Sequence, residues 1–172
     1  MRYKKQLYFL VFLLFSFAYI GLISAAICSN PTQIIMKLSS LPSNAHGASW
    51  NQGSYTNHIC YDTIFGRSYN LPGDPHECTG SNRVLRLSST TNAHAQTPES
   101  SGYTTEVCYG NLICRSTNLN CAADERLIAS LSSQTNAHLS ESTSYGWKIC
   151  CKISTPVIPN DITNLYFSDM NV

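Results

Sequence analysis

The sequence predicts an all-β fold of three disulfide-stapled repeats of β-hairpin type, forming a small sandwich or a repeat array. Three observations predict it: a motif that recurs three times, eight cysteines in a chain that opens like an exported protein, and period-two alternation ahead of three of those cysteines.

The chain starts with a basic stretch, Arg2, Lys4 and Lys5, followed by an apolar run from Leu7 to Ile23 and the small residues Ser24-Ala25-Ala26. This is the three-part plan of a secretory signal, and residues 1–26 are read as one. An uncleaved anchor is the rival reading, since the run is about long enough to span a bilayer. Either reading puts the remainder outside the cell, because positive flanks stay inside. A lipoprotein signal fits badly, with Ile27 before Cys28. Of 11 basic residues, three lie in the leader, leaving eight against 10 acidic ones. That balance offers no basic patch for nucleic acid and no acidic tail.

The recurring motif is Leu-Ser-Ser, then Asn-Ala-His, then Tyr, then a cysteine five residues after that Tyr. It occurs at Leu38-Ser39-Ser40, Asn44-Ala45-His46, Tyr55 and Cys60; at Leu87-Ser88-Ser89, Asn92-Ala93-His94, Tyr103 and Cys108; and at Leu131-Ser132-Ser133, Asn136-Ala137-His138, Tyr145 and Cys150. A further cysteine precedes each Leu-Ser-Ser: Cys28, Cys78 and Cys121. The organisation is therefore repeat 1 at 27–61, a linker at 62–77, repeat 2 at 78–109, a linker at 110–120, repeat 3 at 121–152, and a tail at 153–172. Residues 162–167 of that tail are read as a last strand. Loops rich in Ser, Gly, Gln and Glu fill 47–54, 95–102 and 139–144.

Two strands are legible in each unit. In the second, Tyr55, Asn57, Ile59 and Tyr61 share a face with counterparts Tyr103, Thr105, Val107 and Tyr109, then Tyr145, Trp147, Ile149 and Cys151; this face is assigned to the core. In the first, Met36 and Leu38, Leu85 and Leu87, and Ala129 and Leu131 point inward, with Lys37, Arg86 and Ser130 to solvent. Helix is the alternative for Leu127 to Leu131. Units that close on themselves pair Cys28 with Cys60, Cys78 with Cys108, and Cys121 with Cys150. Each such loop, about 30 residues, is worth roughly 3–4 kcal/mol in the chain-entropy model. Cys114 and Cys151 remain; Cys151 takes the inward place of Tyr61 and Tyr109 while Cys150 faces out, so a Cys114–Cys151 bond would tie unit two to unit three. A vicinal Cys150–Cys151 bond is the alternative.

The three histidines of Asn-Ala-His carry the sharpest chemical question. Three imidazoles gathered on a three-fold axis could share zinc, copper or nickel. Units set side by side would hold His46, His94 and His138 a repeat width apart, too far for ligands about 2 Å from one ion. The reading adopted is a structural turn, with Asn in left-handed geometry and His bonded to a nearby carbonyl, and no metal or other cofactor. His58 and His76 read as solvated. No catalytic residues are assigned: Gly-x-Ser-x-Gly is absent, the serines recur in threes, the thiols are paired, and Asp74, Glu77, Asp124 and Glu125 are linker acids with nothing to single out a pair. Trp50, with Asn51 beside it in a variable loop, is the candidate ligand contact; Trp147 is assigned to the core.

The string Leu-Ser-Ser-x-Thr-Asn-Ala-His, followed by Tyr and Val-Cys-Tyr or Ile-Cys-Cys, resembles cysteine-rich repeats in predicted secreted proteins of small-genome, uncultivated archaea. It covers residues 78 to 152, and 28 to 61 with one insertion near Pro42. The resemblance implies a cell-surface repeat protein and transfers no site residues. Together these readings give an extracellular or cell-surface protein with a structural or adhesive role and no catalysis. Its partners would be cell-envelope components, glycans or another cell surface, with membrane contact only through the N-terminal segment. A carbohydrate-binding module of β-trefoil type is the first alternative, though a trefoil needs four strands per unit. A secreted enzyme or inhibitor is the second.

Overall fold

The computed structural model describes residues 28–154. The leader expected at 1–26 and the tail strand expected at 162–167 lie outside the described residues. Its regular structure is β-strand apart from one short helix and a 3-10 turn.

Strands β1 (Ile34–Leu38), β2 (Gly47–Ser49) and β3 (Asn57–Cys60) form one antiparallel sheet in the order β2-β1-β3. Helix α1 (Tyr61–Phe65) follows. A second sheet takes β4 (Arg83–Leu87), β5 (Ala95–Gln96) and β6 (Thr105–Cys108) in the matching order β5-β4-β6. The third contains β7 (Leu112–Thr117), β8 (Arg126–Leu131), β9 (Leu139–Ser140) and β10 (Trp147–Ile153), in the order β7-β10-β8-β9. Leu127 to Leu131 is thus strand, not helix.

Each sheet has three strands in the same relation, where alternation had revealed two. The missing ones, β2, β5 and β9, open the segments read as variable loops. They are only two or three residues long, too short for a period to show. The segments read as linkers hold structure too: α1 runs from the end of repeat 1 into 62–77, and β7 lies in 110–120. Leu112 is buried, Ile113 exposed and Cys114 packed against the core, but Arg115, Ser116 and Thr117 are polar and carry no apolar alternation.

Each first strand departs from plain alternation at one place. Ile34 pairs with Cys60 and Met36 with Ile59, so Ile35 is an extra residue with no partner opposite. Val84 and Ile128 are skipped in the same way. Such bulges bend a strand and re-aim its side chains. Here they let adjacent residues both enter the interior: Ile35, Met36, Val84, Leu85, Ile128 and Ala129 are all at most 1% exposed. Ser130, expected in solvent, is fully buried; its hydroxyl donates to the Ser142 carbonyl (2.6 Å) and accepts from the Tyr145 amide (3.2 Å), which meets the cost of burying it.

One apolar core draws side chains from all three sheets. The sheets meet through antiparallel bridges outside their own ladders: Ala45 with Leu139, Gly47 with Ala93, and Ala95 with Ala137. Each bridge carries two N–H···O bonds of 2.8–3.0 Å. First joins third, first joins second, and second joins third, so the contacts run in a closed circuit. Sulfur joins Cys28 to Cys60, Cys78 to Cys108, Cys114 to Cys151 and Cys121 to Cys150, and no described cysteine is free. Cys151 joins the shared core, and Cys150, although outside that cluster, is fully buried as well. Four disulfides in so short a chain fit an oxidising, extracytoplasmic setting. Among the described residues no helix is long and apolar enough to cross a membrane.

Candidate functional site

The Leu-Ser-Ser and Asn-Ala-His segments build one cluster. The first serine of each pair clamps the histidine backbone from both sides. Ser39 Oγ accepts from the His46 amide (2.9 Å), and the Ser39 amide donates to the His46 carbonyl (3.0 Å). Ser88 holds His94 and Ser132 holds His138 in the same two ways. Asn44, Asn92 and Asn136 turn the chain with φ of 58°, 49° and 50°, the left-handed region that Asn enters more readily than most residues. Ala45, Ala93 and Ala137 then point into the core with no exposure, forming the inter-sheet bridges. Each histidine is left half-buried beside its neighbours.

These histidines are not a repeat width apart. Their ring centroids lie 4.9 Å (His46–His94), 5.1 Å (His46–His138) and 4.8 Å (His94–His138) from one another. One ring nitrogen from each falls within 4.8 Å of the others. The expectation of separation assumed units in a line; the closed circuit of bridges brings the three turns to one place.

Their ring nitrogens have partners of a particular kind. His46 Nδ1 lies 2.5 Å from Asn92 Oδ1, and His94 Nδ1 lies 2.5 Å from Asn136 Oδ1. An amide oxygen only accepts, so these Nδ1 atoms are the donors, which leaves Nε2 as the nitrogen that can bear a ligating lone pair. Tyr55 and Tyr103 donate their hydroxyls to the same two oxygens, at 3.3 and 3.2 Å. The tyrosines are therefore half-buried members of this cluster rather than core residues. The third position differs. Tyr145 Oη accepts from the Asn44 amide, and His138 Nδ1 is shielded without a hydrogen-bond partner. The extra residue near Pro42 lies in this corner, where the Pro42 carbonyl takes a bond from Ser140 (2.5 Å). Burial, then the nearby His94 and His46, lower the His138 imidazole below its ordinary value, toward the neutral form that a metal takes.

Trp50 and Asn51 sit elsewhere. Trp50 stacks on His76, with centroids 4.0 Å apart and planes 11° from parallel, beside the buried Cys28–Cys60 pair. His76 is not solvated: its side chain is 6% exposed, with Nε2 2.7 Å from the Ile34 carbonyl and Nδ1 3.1 Å from Asp74. Trp50, exposed Asn51 and Gln52 border a cleft of about 200 Å³. One indole face is therefore already covered, which leaves less of it for a sugar. Trp147 packs against the core from its edge. The other gatherings of metal-ligating residues among those described each contain a disulfide, whose sulfurs have no thiolate to give.

In comparison with known proteins, no family model matches the chain, and no curated protein or solved structure matches it.

Proposed function

We propose that this chain is an exported cell-surface protein with a structural or adhesive role and no catalysis. In this reading its three sheets are copies of one disulfide-stapled unit, closed about an approximate three-fold axis rather than stacked in a line. The observation that carries it is the circuit of bridges, Ala45–Leu139, Gly47–Ala93 and Ala95–Ala137, made by equivalent turns of the sequence motif. Bulges at Ile35, Val84 and Ile128 add a second set of equivalent positions. Such a body, braced by four disulfides, suits exposure to a harsh exterior. Its polar groups recur in threes, as architecture does, whereas a nucleophile is needed once. Partners would be envelope components, glycans or another cell surface.

The reading is tested by expressing the whole chain with its leader in a secreting host. Protein in the medium or on the surface, starting at Ile27 and carrying four disulfides, is the expected result. Accumulation as reduced protein inside the cell would sink it. The lectin alternative draws on the Trp50 cleft. It predicts binding on a glycan array that Trp50→Ala abolishes.

A further inference from the structure

We infer that His46, His94 and His138 form a binding site for one divalent first-row metal ion, zinc in the first instance. This goes beyond the surface role proposed above and stands or falls independently of it.

Three imidazoles converge, with a nitrogen from each within 4.8 Å of the others. A tetrahedral ion, bonded at 2.0–2.1 Å, sets its nitrogens about 3.3 Å apart. Closing that difference falls to the side-chain torsions, since the histidine backbones are held in place. Ser39, Ser88 and Ser132 bond both the amide and the carbonyl of each histidine.

The orientation of two rings is also that of ligands. Metal-binding histidines commonly donate the remote N–H to an oxygen acceptor, which fixes the tautomer and makes the other nitrogen more basic. Asn92 and Asn136 serve His46 and His94 in this way, so each offers Nε2. His138 has no such restraint on Nδ1 and can turn to complete the set. An all-imidazole set suits zinc, copper or nickel rather than calcium or magnesium. Three protein ligands leave a fourth position for water or an external donor.

The test uses the mature chain, secreted so that its disulfides form and purified without a histidine tag. Zinc chloride is titrated calorimetrically, bound metal is counted by mass spectrometry, and cobalt(II) replaces zinc to report geometry by its visible spectrum. One ion per chain, a tetrahedral cobalt spectrum, and a zinc-dependent rise in melting temperature are expected. His46→Gln/His94→Gln/His138→Gln should remove all three; if that variant does not fold, His138→Gln alone should weaken binding at least tenfold. Asn92→Gly retains the left-handed backbone and deletes only the acceptor, and should weaken zinc about 10–100-fold. Failure of the folded wild type to take up stoichiometric zinc, copper or nickel, or equal uptake by the triple variant, overturns the assignment. Wild-type affinity in Asn92→Gly would overturn the orienting role given to the asparagines.

Discussion

At the scale of single residues, the centre of the molecule is a problem of volume. Gly47, Ala95 and Leu139 each follow Asn-Ala-His at the same place in the motif, and each is fully or nearly buried. Leu139 and Leu87 fill the space that a side chain at 47 would need. A Cβ there would lie 2.8 Å from Leu87 Cδ2, 2.9 Å from Leu139 Cδ1 and 3.1 Å from Met36 Cε. Close-packed interiors do not absorb an added methyl freely, so Gly47→Ala should cost about 1–3 kcal/mol in urea unfolding. Leu139→Ala should cost about 2–5 kcal/mol through the cavity it leaves. The double variant should lose less than the two together, because the cavity of one accommodates the methyl of the other. Strict additivity would show that the two sites do not share this space. The serine clamp and the left-handed asparagine explain why the motif has those letters: Ser fixes the histidine backbone, Asn makes the turn, and Ala is small enough for the bridge.

At the scale of elements, β7 is the strand that apolar patterning could not reveal. It pairs along β10 from Leu112–Ile153 to Thr117–Lys148, and its Cys114 stands directly opposite Cys151. The bond between them therefore crosses two neighbouring strands rather than capping a loop. Replacing both by alanine should lower stability by about 2–4 kcal/mol, since the 37-residue separation leaves the unfolded chain much freer. Denaturant midpoints of Cys114→Ala/Cys151→Ala against wild type measure it. An unchanged midpoint would mean that the ladder alone fixes β7. The bulges belong to this scale also. Alternation placed Met36, Leu38, Leu85, Leu87, Ala129 and Leu131 inside, where they are. It could not foresee that Ile35, Val84 and Ile128 join them, because one unpaired residue re-aims what precedes it.

At the scale of the whole molecule, the sheets share a single core, so heat or denaturant should unfold them in one cooperative step. Four disulfides closing separations of 29 to 37 residues contribute roughly 3–4 kcal/mol each in the chain-entropy model, together about as much as the whole net stability of a typical domain. Full reduction with dithiothreitol should therefore unfold the protein near room temperature, read as loss of the near-ultraviolet circular dichroism. A native spectrum surviving full reduction would show that packing alone suffices. Each sheet contributes side chains to that core and is bonded to the other two across the bridges.

The amino-acid order alone determined what is local: β conformation where apolar and polar residues alternate, the recurrence of the motif, the left-handed asparagine turns and the supply of cysteines for cross-links. These follow from sterics and short-range patterning, which a linear string carries. How the sheets meet was decided only by the tertiary structure. Two- and three-residue strands have no period to read, and the direction of closure is set by packing volumes and backbone bonds between turns more than forty residues apart. That is why His46, His94 and His138, equivalent but distant in the chain, share one corner of the molecule.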